Sequence, residues 1–338
     1  MCIAIATTNH PEYPFILLSN RDEFFKRPTM PAHFRDVGNG VKLLSPLDLA
    51  RQEHGTWIGV TTNGKIAVLV NYRENDQREA ISEVSRGILP LDYLCGKESD
   101  NEWKDNLAAT FRDGRNTIDL KKIGGFSLLY GKLSINPQTG KIHHLNILSN
   151  RGDQGKVFKS KETSKDNANG EINLSNDTSD TEDDDIPHKT TFGLSNSLYN
   201  KPWDKVKLGE SLLSKLIDES IINNYSQDQL IEKCFQLLSH DTYNSKILHS
   251  DDFEKKFAEL KYSIFIPPIV RNNYYETDSV AVGKYYGTRT QTIILLDKYG
   301  NLNYYEKNIH NSDDIDLKDV DITSHYKFNI FNDQKNGC

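Results

Sequence analysis

The chain has 338 residues, a formal net charge of −7, 36% hydrophobic residues and 26% charged ones, which permits one large domain or two ordinary ones. The acidic balance excludes a general nucleic-acid binder, which needs clustered Lys and Arg. Four scattered cysteines (Cys2, Cys95, Cys234 and Cys338) form no CxxC pair and point to a reducing compartment. The start MCIAIATTNHPEYPF lacks a basic region followed by an apolar one, and no run approaches the ~18 apolar residues of a membrane span. A soluble, cytoplasmic protein that is not an integral membrane protein is the expectation.

Ile3–Ala6 and Phe15–Leu18 are short apolar runs separated by Asn9-His10-Pro11, and they read as strands. Thr56–Thr61 and Lys65–Val70 flank Asn63-Gly64, a hairpin signal because both residues tolerate positive φ. Helices are predicted over Ser82–Leu94 and Glu102–Phe111, then strands over Phe126–Tyr130 and Ile142–Leu148. His143 and His144 alternate along that last run, so they would not share a metal. Lys161–Asp185 is rich in Ser, Thr, Asn, Asp and Glu and has no aromatic residue. It cannot bury enough apolar surface to offset its ordering entropy and reads as a disordered insertion. Helical spacing resumes over Val206–Asp218 and Gln227–Leu238. Strands are predicted over Asp278–Val282, Thr292–Leu296 and Leu302–Tyr305, with Tyr299-Gly300-Asn301 as a turn. The order of strands and helices predicts an α+β fold with helices layered on antiparallel sheets. Strands from both termini are expected to share one pair of sheets in a single domain over residues 1–338.

Cys2 is the first residue with chemistry to offer. Removal of the initiator Met would leave an α-amine and a thiol on one residue, with ordinary pKa values of roughly 7.7–8.0 and about 8.5. The amine could then serve as the thiol's base. The alternative is a small buried cysteine that begins a core strand. Asn20-Arg21-Asp22-Glu23 follows the second apolar run. It is either a solvated turn or the mouth of a site, with Arg21 lowering a thiol pKa and Asp22 orienting an ammonium. Trp57 and Trp203 read as core anchors.

Several local patterns occur in one order: Met1-Cys2, Asn20-Arg21-Asp22-Glu23 with Arg27-Pro28, Gly55-Thr56-Trp57-Ile58-Gly59, Asn71-Tyr72, Arg86-Gly87, Gly193-Leu194-Ser195-Asn196 with Pro202-Trp203, and Tyr286-Gly287-Thr288-Arg289. That ordered set, over about residues 1–310, resembles the NRDE family, also called the transport and Golgi organization 2 homolog family. The insertion is not part of the family pattern. The resemblance implies an N-terminal-nucleophile (Ntn) hydrolase-like fold, a four-layer αββα sandwich. It also implies a site built from Cys2, Arg21, Asp22, Asn71, Asn196 and Arg289, by analogy with cysteine enzymes such as choloylglycine hydrolases and penicillin acyltransferases. Arg21 and Asp22 are adjacent, so on a strand only one of them faces the thiol. A buried Arg289 is expected to pair with Asp22, Glu23 or an anion. The family's implied roles are Golgi organisation, protein secretion and haem mobilisation, with association to Golgi or mitochondria. Haem would then be a transported ligand; no resident cofactor or metal is expected. Three functions stay open: amide hydrolysis through a Cys2 thioester, a small-molecule carrier, and a scaffold acting through protein contacts.

Overall fold

The computed structural model describes residues 2–74, 82–113, 118, 120–152, 154–157, 189–272, 281–313, 315 and 322–331. Lys161–Asp185 lies outside them. The first sheet has seven antiparallel strands: β1 (Ile3–Thr7), β2 (Phe15–Phe24), β10 (Thr191–Leu194), β11 (Ile269–Val270), β12 (Tyr285–Leu296), β13 (Asn301–Asn308) and β14 (Ile322–Asn329). Its order is β10-β1-β2-β12-β13-β14, with β11 beside β12. The second sheet runs in chain order through β3 (Thr29–Asp36), β4 (Lys42–Asp48), β5 (Ile58–Thr61), β6 (Lys65–Asn71), β7 (Phe126–Lys132), β8 (Leu145–Ser149) and β9 (Gln154–Val157). Strands from both ends of the chain therefore share the first sheet.

Alternation along the central strands makes the layers. In β2, Phe15 and Leu17 enter the core between the sheets, and Ile16 and Leu18 enter a core under helices α3 (Asp204–Ile222) and α4 (Gln227–Leu238). β12 repeats this, with Ile294 and Leu296 between the sheets and Ile293 and Leu295 under the helices. On the other side, Ile66, Val68 and Val70 of β6 face the first sheet, while Ala67 and Leu69 face α1 (Ile88–Cys95) and α2 (Asp100–Asp113). The result is helix, sheet, sheet, helix: the four-layer α+β sandwich that the resemblance implied. Strands covered on both faces are read as unbroken apolar runs, and each fully buried Leu or Ile contributes roughly 1.5–3 kcal/mol. Two short helices, α5 (Ser245–Leu248) and α6 (Phe253–Glu259), pack near the start of β12.

α4 begins and ends where its spacing predicts. Its start is fixed by a capping box between Ser226 and Gln229. The Asn63-Gly64 turn also forms, with Gly64 at φ +92°. Other expectations are corrected. The predicted helix over Ser82–Leu94 starts only at Ile88, because residues before it bond sideways: Glu83 N donates to Lys122 O and Thr56 N to Gly87 O. His143 and His144 precede β8 rather than lying in it, and Ala281 and Val282 are not strand. The segment Asn20–Glu23 is no solvated turn; it continues β2, with Asn20 bonded through Nδ2 to the carbonyls of Leu238 (2.8 Å) and Ile264 (2.9 Å).

Gly55 and Gly87 meet backbone to backbone. A Cβ on Gly55 would lie 2.5 Å from the Gly87 carbonyl carbon. Gly55→Ala is therefore expected to lower stability by about 1–3 kcal/mol, the usual cost of overpacking a rigid contact. A thermal or urea melt measures this, and an unchanged midpoint would show that the contact gives way freely.

Candidate functional site around Cys2

Cys2 sits just before β1. The pairing of Ile3 with Asn20 brings it beside Arg21. Its carbonyl accepts from Ser195 Oγ (2.8 Å), which ties the N-terminus to the end of β10. Burial pushes its thiol up from the ordinary value; Arg21 and a hydrogen bond from the Asp22 backbone N–H oppose that shift. Cys2 lines a cavity of about 340 Å³ together with Arg21, Trp57, Asn71, Arg86 and neighbouring groups.

Arg21 projects between the sheets, where its guanidinium lies 4.1 Å from the centre of the Trp57 ring. It is 6% exposed, and its buried Nη1 has no hydrogen-bond partner among the described residues. Trp57 is thus a cation–π platform on the cavity wall as well as a core contact. Asp22, one residue on, serves the opposite layer. Its Oδ1 accepts from Thr288 Oγ1 (2.8 Å), and its Oδ2 lies 3.5 Å from Lys205 Nζ at the start of α3. Both side chains of that ion pair are fully buried. Burial drives the carboxyl up and the ammonium down, and each charge opposes the other's shift.

Asn71, at the end of β6, lines the cavity from an exposed position. Asn196 and Arg289 are not among the residues that line it. Asn196 lines a second cavity, with Tyr72, Arg73 and Trp203. Arg289 is buried at a bulge of β12, between Thr288 and Thr290. It pairs with no carboxylate among the described residues; instead Nε donates to His310 O (3.0 Å), and Nη1 to Phe24 O (3.2 Å) and Arg27 O. Those carbonyls satisfy the cation that was expected to need Asp22, Glu23 or an anion. Burial and nearby Arg21 push it down to about 9, so it remains charged at neutral pH. Of the six predicted residues, then, Cys2, Arg21 and Asn71 line the cavity, Asp22 turns to the opposite layer, and Asn196 and Arg289 stand outside its lining.

Sequence reasoning passed over four contributors. Arg27 forms a bidentate pair with Asp48 (shortest contact 2.7 Å), and Arg51 and Arg86 are held by backbone carbonyls of Ser82, Glu83 and Gly125. Lys205 was also missed, although a lysine next to Val206 on the buried stripe of α3 is the kind of charge that needs a partner. The described residues hold no helix long and apolar enough to cross a membrane.

The fold and site together define a four-layer sandwich with a near-terminal cysteine at the base of an arginine-rich cleft. Residues 1–311 match the family model described as Transport and Golgi organisation 2, and the chain belongs to that family. An uncharacterized protein of Saccharomyces cerevisiae is 30% identical over 333 residues, 96% of each chain. The Transport and Golgi organization protein 2 homolog of Homo sapiens is 28% identical, covering 89% of this chain and 88% of its own length. Among solved structures, the C2A mutant of conjugated bile acid hydrolase from Clostridium perfringens is 13% identical, with a TM-score of 0.32 and 98% of both chains covered. Penicillin V acylase from Agrobacterium tumefaciens is 10% identical, with a TM-score of 0.31, covering 96% of this chain and 90% of that one.

Removing one partner of a buried ion pair strands the other charge. Lys205→Met is expected to cost about 3–5 kcal/mol, and Lys205→Met with Asp22→Leu distinctly less. Urea unfolding of both variants tests this; equal losses would mean that the pair is not coupled.

Proposed function

We propose that the Cys2 cleft is a binding site for a negatively charged small molecule, through which the chain serves the transport and Golgi role carried in its family's description. One observation carries the reading. The Arg21 guanidinium is buried beside Cys2 with a nitrogen that has no acceptor among the described residues, and a buried donor left unmade is costly. A ligand oxyanion supplies the acceptor. Among the described residues the lining holds four arginines (Arg21, Arg27, Arg51 and Arg86) and two carboxylates, Glu23 and Asp48, so the local field favours an anion.

Haem is the transported ligand that suits this chemistry. Its two propionates match guanidinium groups, and the Cys2 thiol is a soft donor for iron. Among the described residues that line the cleft none is a histidine or methionine, so Cys2 would supply the donor to the iron. Titration of the purified chain with haem is expected to give a saturable absorption change at micromolar concentration. That change should be altered in form by Cys2→Ala and weakened by Arg21→Leu. No spectral change at micromolar haem would overturn haem as the ligand.

A second reading is hydrolysis of a small amide. It is favoured by the position of Cys2 on the cleft and by the Asp22 N–H aimed at its sulfur. With Met1 removed, the α-amine would accept the thiol proton and sulfur would attack the carbonyl carbon. Asn71 would donate to the oxyanion. The C–N bond would break, the departing amine would take the proton, and water would release the acid from the thioester. Intact mass of the mature chain decides this reading. Loss of Met1 is required, and a retained Met1 would exclude the mechanism because the amine would be locked in a peptide bond.

A further inference from the structure

The second cavity is a built site that the Cys2 chemistry does not use. It has a volume of about 370 Å³ and lies between the segment after β6, the loop after β10 and the end of α6. Among the described residues its wall carries three cations, Arg73, Lys201 and Lys261, and no carboxylate, in a chain whose net charge is −7. Trp203 and Tyr72 add aromatic surface. The walls are tied together by backbone hydrogen bonds: Arg73 N donates to Asn196 O (2.9 Å), and Lys205 N to Lys261 O (3.0 Å). Arg73 is held in place by an Nη1 bond to Phe257 O (2.7 Å).

Asn196 supplies the independent sign of a ligand. It is 4% exposed, lines the cavity, and its buried Oδ1 has no partner among the described residues. Buried side-chain amides are normally bonded, because leaving one polar atom unmade forfeits its hydration. Beside three cations, this acceptor would suit a molecule that presents a negative group and, next to it, an N–H or O–H.

We propose that this cavity binds an organic oxyanion, a carboxylate or phosphate held by Arg73, Lys201 and Lys261. The adjoining N–H or O–H of that molecule donates to Asn196, and its flat part lies on Trp203. The site is separate from the Cys2 cleft but shares walls with it. Asn71 lines the cleft while Tyr72 and Arg73 line the cavity, and Ser195 holds the Cys2 carbonyl while Asn196 faces the cavity. Asn196 is thereby a recognition residue rather than an oxyanion donor to a Cys2 reaction.

The test is calorimetric titration of the full chain with two probes: hippurate, a carboxylate with an amide N–H and a ring, and phenyl phosphate. Saturable binding of either is expected, and which one binds identifies the oxyanion. Lys201→Glu and Lys261→Glu should each weaken it about tenfold or more, the loss of one charge-assisted contact. Lys215→Glu, an equal charge change at an exposed position of α3, should have little effect. Lys201 is also exposed, so its substitution leaves folding intact. The assignment is overturned if neither probe binds in the millimolar range, or if both lysine variants weaken binding no more than Lys215→Glu does.

Discussion

β2 is covered on both faces, and most of what distinguishes this protein follows from that. A strand turns successive side chains to opposite sides. Where both sides are apolar core, as at Phe15–Leu18, the alternation only sorts hydrocarbons into two layers. Where the strand runs on into Asn20, Arg21 and Asp22, the same alternation sends two opposite charges into different layers. Arg21 goes between the sheets to the Trp57 face, and Asp22 goes toward the helices to Thr288 and Lys205. Two adjacent residues that could have neutralised each other are kept apart. Each needs a separate answer: Lys205 for the carboxylate, and an open cleft for the guanidinium.

This division separates a sealed face from an open one. The Asp22–Lys205 pair is sealed and joins β2 to the start of α3, behind the thiol. The Arg21 side is accessible to a small molecule. Arg289 shows a third solution to the same problem, a buried cation satisfied wholly by backbone carbonyls at a strand bulge. Cations of similar sequence appearance thus have different duties, fixed by what acceptors the fold brings to them.

The parts legible in the sequence are those where hydrophobic period and local chemistry agree. α4 shows its apolar spacing and its cap residues together, and the β5–β6 hairpin has Asn-Gly between apolar runs. Among the missed strands, β4 and β10 are largely buried, whereas β3 and β14 mix polar residues into the run and leave part of a face wet. β3 carries Pro31, His33 and Arg35, and β14 reads ITSHYKFN. The first half of β12 buries Thr288, Arg289, Thr290 and Gln291, which no apolar period can announce. The site was legible only in part for the same reason. Cys2 and Arg21 meet through neighbouring strands, whereas the partner of Asp22 arrives from Lys205, far along the chain. The placement of Asn196 and Arg289 depends on a loop path and a bulge that leave no local signature.

The strand order also bears on how the chain reaches this state. The second sheet pairs only strands that follow one another, β3 through β9, so each can join as it is synthesised. The first sheet cannot do so. β2 spans Phe15–Phe24, and its long central partner β12 spans Tyr285–Leu296, with Phe15 opposite Leu296. Closing that loop carries a large entropic cost before any contact returns it. On the ribosome, β1 and β2 would emerge early and wait for almost the whole chain with one hydrophobic edge uncovered. An interval of that kind is where edge strands mispair and where chaperones act.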